Sequence, residues 1–234
     1  MNRFPSKTNA LNFIRQSGVE IATIIDVGVM TSTTELMLVY PDRKHLLFEP
    51  VVEFHRLIEA NYAGIEHELL AFAVSDMDGV HPLQIVHAGG AEHITHSRLV
   101  TEMPGDAEIR QIKTVSLDSF LAGREEAKPY LLKIDVDGHE MPILGGARQT
   151  LRDTDCVVLE VHTGDWLERA ALVEASGFFL ADIVDLCYYR GALAQVDMIF
   201  LANGLKASWF AAHGQDFDWT KWKNLSHKEG SVIW

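Results

Sequence analysis

Cysteine is scarce: Cys156 and Cys187 stand alone in 234 residues, each inside an apolar, strand-like run. Neither a disulfide framework nor a cysteine-based zinc site is expected from so few thiols. No stretch of about 18 consecutive apolar residues occurs, so no membrane span is expected. The opening MNRFPSKTNALNF lacks the apolar core of a signal peptide. Basic residues are in deficit, with 20 Lys and Arg against 33 Asp and Glu and a formal charge of −13. That balance argues against nucleic acid as the partner, because phosphate binding needs clustered Lys and Arg. No repeat, low-complexity tract or Pro/Gly/Ser-rich linker divides the chain. The expectation is one cytoplasmic domain over residues 1–234, with a core from about 20 to 203 and a Trp-rich extension from 204 to 234.

What the sequence does contain is a recurring pair, a short apolar run followed by a helical pattern. Ala22 to Gly28 is a β-branched run closing on glycine, and Thr33 to Tyr40 then reads as a helix. His45 to Pro50 gives a second strand and Val52 to Tyr62 a second helix. Glu68 to Ser75 reads as a third strand, followed by extended segments at Val80–Val86 and Glu108–Val115 around a polar loop. Tyr130–Val136 and Cys156–Val161 are core strands, each followed by a helix, over Met141–Leu151 and about Asp165–Ser176. Phe178–Val184 and Val196–Ala202 complete the set. Alternation of this kind predicts an α/β fold, a doubly wound, mostly parallel sheet covered on both faces.

In such sheets a ligand sits beyond the carboxyl ends of the strands, where the strand order reverses. The side chains there are Asp26 and Gly28, Glu49, Ser75 and Asp76, Asp135 and Asp137, and Glu160 and His162. Glycine at the first strand end and an acid at the second form a nucleoside half-site, the acid accepting hydrogen bonds from ribose hydroxyls. Gly28-Val-Met-Thr-Ser-Thr-Thr supplies one glycine of the three that a pyrophosphate loop needs, which disfavours a dinucleotide-dependent oxidoreductase. Asp26 suits a cationic ligand, with a helix N-cap as its alternative role. Lys133, inside an apolar strand, is expected to reach a carboxylate, with Asp135 on the same face.

The segment Leu131-Leu-Lys-Ile-Asp-Val-Asp-Gly-His-Glu-Met-Pro-Ile-Leu-Gly-Gly-Ala147 resembles the hallmark of the FkbM-type methyltransferases. Ile25–Gly28, Leu47–Pro50, Ala73–Asp76, Val115–Asp118 and Leu159–His162 follow that family's order. The resemblance implies a Rossmann-like class I methyltransferase fold, with a seven-stranded sheet and a hairpin or loop insertion after the third strand. It also implies S-adenosylmethionine as donor and a hydroxyl as acceptor, often on a sugar or polyketide. Where the family reads D-V-G-A-N-x-G, this chain has Met30 for Asn and Ser32 for glycine, so the loop is expected to take its own path.

On this reading Asp26, Gly28, Thr31, Ser32, Glu49, Pro50, Ser75 and Asp76 hold the donor. His162, Asp135 and Asp137 do the chemistry, with His162 or Asp135 as base. His139, Glu140, Glu160 and Arg98 face a small-molecule or glycan acceptor. Asp135 and Glu160 also have the oxygens to hold Mg²⁺, although no third ligand is evident and the metal is not expected. Acids in Asp137-Gly-His-Glu140 also suit a helix N-terminus. A degenerate methyltransferase fold serving as a binding module is the non-enzymatic alternative. His93 and His96 fall in a loop over Ala88–Gly105 that reads as a lid or acceptor-binding loop rather than a zinc site. The tail carries Trp209, Trp219, Trp222 and Trp234, suited to covering the site mouth, stacking carbohydrate, or docking on a second subunit of a homo-oligomer.

Overall fold

Strands buried on both faces call for apolar residues throughout, and the central runs of this chain have them at the majority of positions. The computed structural model describes residues 5–87, 94–95, 97–100, 105 and 107–211. In chain order the elements are α1 (Lys7–Gln16), β1 (Thr23–Val27), α2 (Thr34–Val39), β2 (Lys44–Phe48), α3 (Val52–Asn61), β3 (His67–Leu70), β4 (Ala73–Val74), β5 (Gly79–Ile85), β6 (Arg98–Leu99) and β7 (Glu108–Val115). They continue with α4 (Leu117–Leu121), β8 (Tyr130–Ile134), α5 (Glu140–Gly145), β9 (Thr154–His162), α6 (Trp166–Ala175), β10 (Phe178–Tyr189), β11 (Ala192–Ala202) and α7 (Lys206–Ala211).

The main sheet has seven strands in the order β10-β11-β9-β8-β1-β2-β3. β3, β2, β1, β8 and β9 run parallel, while β11 is antiparallel to both β9 and β10. This is the doubly wound, mostly parallel seven-stranded arrangement expected above. Consecutive residues pack on opposite faces. Ile24, Leu131 and Val158 join Ala10, Leu11 and Ile14 of α1 and Leu36 of α2. Ile25, Leu132 and Val157 join Leu117, Ile143 and Val173 of α4, α5 and α6. Both faces are thus dry, as a parallel sheet requires.

The chain winds outward from β1 through β2 to β3, then returns to β1's other side at β8. The order therefore reverses between β1 and β8, and a crevice opens beyond their carboxyl ends. Before returning, the chain builds a second sheet of four strands, β4-β7-β5-β6. Leu83 and Ile85 of β5 pack with Val51 and, more loosely, with Phe54, Leu99 and Ile112. This sheet therefore sits over the crevice beside β2 and α3.

Three elements depart from the sequence reading. The run Glu68–Ser75 splits at residues 71–72, its first part ending the main sheet and its second joining the small one. The helix expected over Met141–Leu151 stops at Gly145, and a 3-10 turn follows at Thr150–Asp153. Helix α1 was not expected; Ser6 caps it by accepting from the Asn9 N–H at 3.4 Å. Trp209 of α7 meets Phe13 of α1 edge-on, with centroids 5.3 Å apart. Trp219, Trp222, Trp234, His93, His96 and most of the Ala88–Gly105 loop lie outside the described residues. Among the described residues, no helix is long and apolar enough to cross a membrane.

Candidate active site

The floor of the crevice is a buried ion pair set by register. β1 and β8 pair so that Asp26 lies opposite Lys133. Lys133 Nζ stands 3.1 Å from Asp26 Oδ1 and 3.3 Å from Asp135 Oδ2. It also donates to the Gly28 carbonyl at 2.7 Å and to Thr33 Oγ1 at 3.3 Å. Burial opposes the ammonium charge, but the flanking carboxylates outweigh it and push the Lys133 pKa up. Asp26 is 0% exposed, so it has no surface to offer a ligand. Its expected donor contact is corrected to a structural role: it holds Lys133 charged beneath the site. Gly28, at φ +85, has no room for a side chain, because a Cβ would collide with the Asp135 carbonyl. That close approach of the two strand ends requires glycine.

Above this floor is a cavity of about 350 Å³, lined among others by Gly28, Met30, Ser32, Glu49, Pro50, Asp135, Asp137, His139 and Glu160. On the β2 side, Glu49 Oε2 accepts from Met30 N–H at 2.8 Å and Oε1 from Val51 N–H at 2.9 Å. Burial pushes its pKa up to about 6 against these two hydrogen bonds. Met30 takes the glycine-like conformation at φ 54, which lets its N–H turn back to Glu49. Thr31 is outside the lining, its carbonyl accepting from Asn61 Nδ2 at 2.9 Å. A left-handed, non-glycine residue carries strain of roughly 1–2 kcal/mol, which asparagine tolerates better. Met30→Asn is therefore expected to raise the unfolding free energy by about 0.5–1 kcal/mol in urea titrations. An unchanged or lower value would show the turn to be unstrained.

On the opposite side, β8, β9 and β11 bring a row of acids together. Asp197 pairs in register with Glu160. Lys7, from the first turn of α1, reaches Asp197 at 3.1 Å and Glu35 of α2 at 2.9 Å. Burial, and then a hydrogen bond and repulsion from Asp135, push the Glu160 pKa up, so Glu160 keeps its proton. Burial works against ionisation of Asp135 too, but Lys133 and the Glu160 hydrogen bond overcome it and hold its pKa down. Asp135 is therefore the carboxylate of the pair and Glu160 the acid. This does not fit Mg²⁺, since Lys133 already occupies Asp135 and Glu160 would have to lose its proton. Among the described residues no three His, Cys, Asp or Glu side chains gather as a metal requires.

Lys7, Glu35 and Asp197 were missed in the sequence. An acid inside the apolar run Val196–Ala202 is the same signal that singled out Lys133, and would have flagged Asp197.

Other expected site residues separate. His162 is exposed and lies outside the cavity lining. β9 runs two residues past Glu160, about 7 Å, and carries it beyond the rim. Its expected place in the chemistry is therefore corrected. Glu140 is buried and taken up by Arg169 Nε at 2.8 Å and the Gly138 N–H at 2.9 Å. It fastens α5 to α6 and does not face the cavity, which corrects its expected acceptor contact. Ser75 and Asp76 are also outside the lining and back onto His139. Ser75 Oγ is 2.9 Å from His139 Nε2 and 3.1 Å from Asp76 Oδ1. Arg98, on β6, lines the cavity from the small sheet, its Nε donating to Gln84 Oε1 at 3.3 Å.

The arrangement is a small-molecule cavity with a negative floor, a nearly buried acid at one end, and an arginine overhead. A profile of the family described as the methyltransferase FkbM domain matches residues 18–190. The hexuronic acid methyltransferase AglP of Haloferax volcanii is 40% identical over 53 residues, which are 23% of this chain and 22% of that protein. The chain thus matches under a quarter of the curated relative's length. Among solved structures, a methyltransferase FkbM from Methylobacillus flagellatus KT is 12% identical with a TM-score of 0.49, covering 78% of this chain and 46% of that one. An rRNA methylase from Streptococcus thermophilus is 11% identical with a TM-score of 0.47, covering 86% and 98%.

Proposed function

Because the chain belongs to the FkbM methyltransferase family, we propose that it transfers a methyl group from S-adenosylmethionine to a hydroxyl of a sugar, most readily an acidic one. The observation that carries this reading is the acid-floored cavity beyond β1, β2 and β8, with Glu49 at the β2 end. Its volume of about 350 Å³ lies within the range of small-molecule sites, roughly 300–1,000 Å³. Bound here, S-adenosylmethionine would supply an electrophilic methyl carbon for the acceptor oxygen, the electron pair of the broken carbon–sulfur bond staying on sulfur. A cationic donor suits a floor where Asp135 is ionised and Glu35 stands nearby.

Glu49 retains a second lone-pair direction on each oxygen and is placed to accept from two neighbouring hydroxyls of a ribose. Gly28, Ser32 and Pro50 offer the surrounding wall. Asp135, held ionised by Lys133, serves to fix positive charge and is a weak base. Asp137 adds a second acid on the same loop. Arg98 favours an acceptor bearing a carboxylate, which bidentate guanidinium pairing recognises. A sugar acid is also what the named relative from Haloferax volcanii acts on.

Calorimetry tests the reading. Wild-type protein is expected to bind S-adenosylmethionine saturably, and Glu49→Ala to weaken that binding about 10- to 100-fold, the worth of hydrogen bonds to a charged acceptor. Absence of binding by the wild type overturns the proposal.

A further inference from the structure

An activated donor still leaves a proton to remove, because a sugar hydroxyl is a poor acid. His162, outside the cavity, does not reach it, and Asp135 is too weak a base. Among the described residues, one imidazole does line the cavity. His139 sits at the N-terminus of α5, immediately after the Asp135–Asp137 loop.

Its protonation pattern follows from one chain of contacts. Asp76 is a carboxylate and can only accept, so the 3.1 Å contact from Ser75 Oγ requires the serine proton to point at Asp76 Oδ1. With its own proton spent there, Ser75 Oγ must accept from His139 Nε2, 2.9 Å away. The imidazole is thereby held as the Nε2–H tautomer, and Nδ1 keeps a free lone pair. A second-layer carboxylate fixing a histidine tautomer through its far nitrogen is a general device for orienting a base.

We propose that His139 is the catalytic residue that takes the acceptor hydroxyl proton on Nδ1, with Ser75 and Asp76 as the positioning residues that fix its tautomer. This rests on the methyl-transfer reading above and adds the base that it lacks. The proton moves from the acceptor oxygen to Nδ1 as that oxygen forms its new bond, and the imidazolium then returns it to water. The titratable groups that act on the ring are Asp76 beyond β4, His81 of β5 and Glu140 of α5, and Asp135 and Asp137 beyond β8 line the same cavity. Burial holds the His139 pKa below its ordinary value and His81 adds to this, while Asp76 and Glu140 act in the opposite direction. The ring is thus neutral and able to accept at neutral pH.

Imidazole nitrogen spectra of ¹⁵N-labelled protein test the tautomer without any acceptor, with His139→Gln assigning the signal. The expected result is an Nε2–H, Nδ1-unprotonated ring at pH 7 in wild type, and a mixture of tautomers in Ser75→Ala that Ser75→Thr restores. An Nδ1–H ring in the wild type overturns the proposal. Transfer of a labelled methyl from S-adenosylmethionine to a panel of glucuronides and galacturonides supplies the second readout. His139→Gln is expected to lower kcat about 100- to 10,000-fold with donor affinity within twofold of wild type. The acid limb of the wild-type rate is expected to follow the pKa seen in the spectra. A His139→Gln enzyme at full rate overturns the proposal. A wild type that fails to bind the donor overturns the methyl-transfer reading instead, and the spectra still decide the tautomer.

Discussion

Replacing Lys133 by methionine lowers the unfolding free energy by about 3–5 kcal/mol, the cost of leaving a buried charge without its partner. The stranded group is Asp26, which has 0% of its surface exposed and no second cation within ion-pair distance among the described residues. Water cannot reach it, so it must either unfold its surroundings or take up a proton. Removing both members, as Asp26→Leu with Lys133→Met, is expected to recover most of the loss, because two apolar side chains need no compensation. Equilibrium unfolding in urea on the two single variants and the double variant separates these contributions. A Lys133→Met protein within about 1 kcal/mol of wild type would show that the pair is not what the floor depends on.

Stability is expected to fall as the solution is made alkaline, from about pH 6.5 upward. The sign follows from Glu160. Its pKa is raised in the folded protein, first by burial and then by Asp135, whereas the unfolded chain releases this proton near pH 4. Between those values the folded state holds one proton more than the unfolded state, so each rise in pH favours unfolding, by at most about 1.4 kcal/mol per pH unit. Other groups do not cancel this. Lys7 and Lys133 are pushed up further and stay protonated throughout. His45 and His139, both pulled down by burial, act below about pH 6.5, where Glu49 and Asp197 oppose them. Glu160→Gln should therefore flatten the profile between pH 6.5 and 9 and be the more stable protein at pH 8. A wild-type midpoint that stays level across that range would remove the shared proton.

Much of the architecture could be read from single residues. Runs such as Tyr130–Ile134 and Cys156–Val161 are apolar at every position but one, Lys133 and Glu160, because both faces of a parallel strand are covered, and that pattern names the sheet class. Glu68–Ser75 shows the limit. An apolar run looks the same whichever sheet it joins, so the break at residues 71–72 was invisible. Helix α1 was missed because Lys7–Gln16 buries only Lys7, Ala10, Leu11 and Ile14 and, apart from Phe13, is otherwise polar. The helix after β8 ends early where Gly146 presses against Ser75 and Asp76, a contact between segments 70 residues apart that no local pattern announces.

The same division runs through the site. Strand-end acids were legible because strand ends are. Which acid faces the cavity and which lies beneath it depended on register and strand length, as Asp26 and His162 show. Lys7 was hidden most completely, since its partners Glu35 and Asp197 lie far along the chain.

The small sheet has one more consequence. The chain leaves the main sheet after β3 and rejoins it at β8, and everything that roofs the cavity is built in that excursion. Asp26, Glu49, Lys133, Asp135 and Glu160 all lie on, or directly after, main-sheet strands. Changes at Leu83, Arg98 or Leu99 of the small sheet therefore reshape the ceiling while those five groups keep their neighbours. The floor and the ceiling of the cavity can thus vary independently, and the ceiling can change shape without reassembling the charges below.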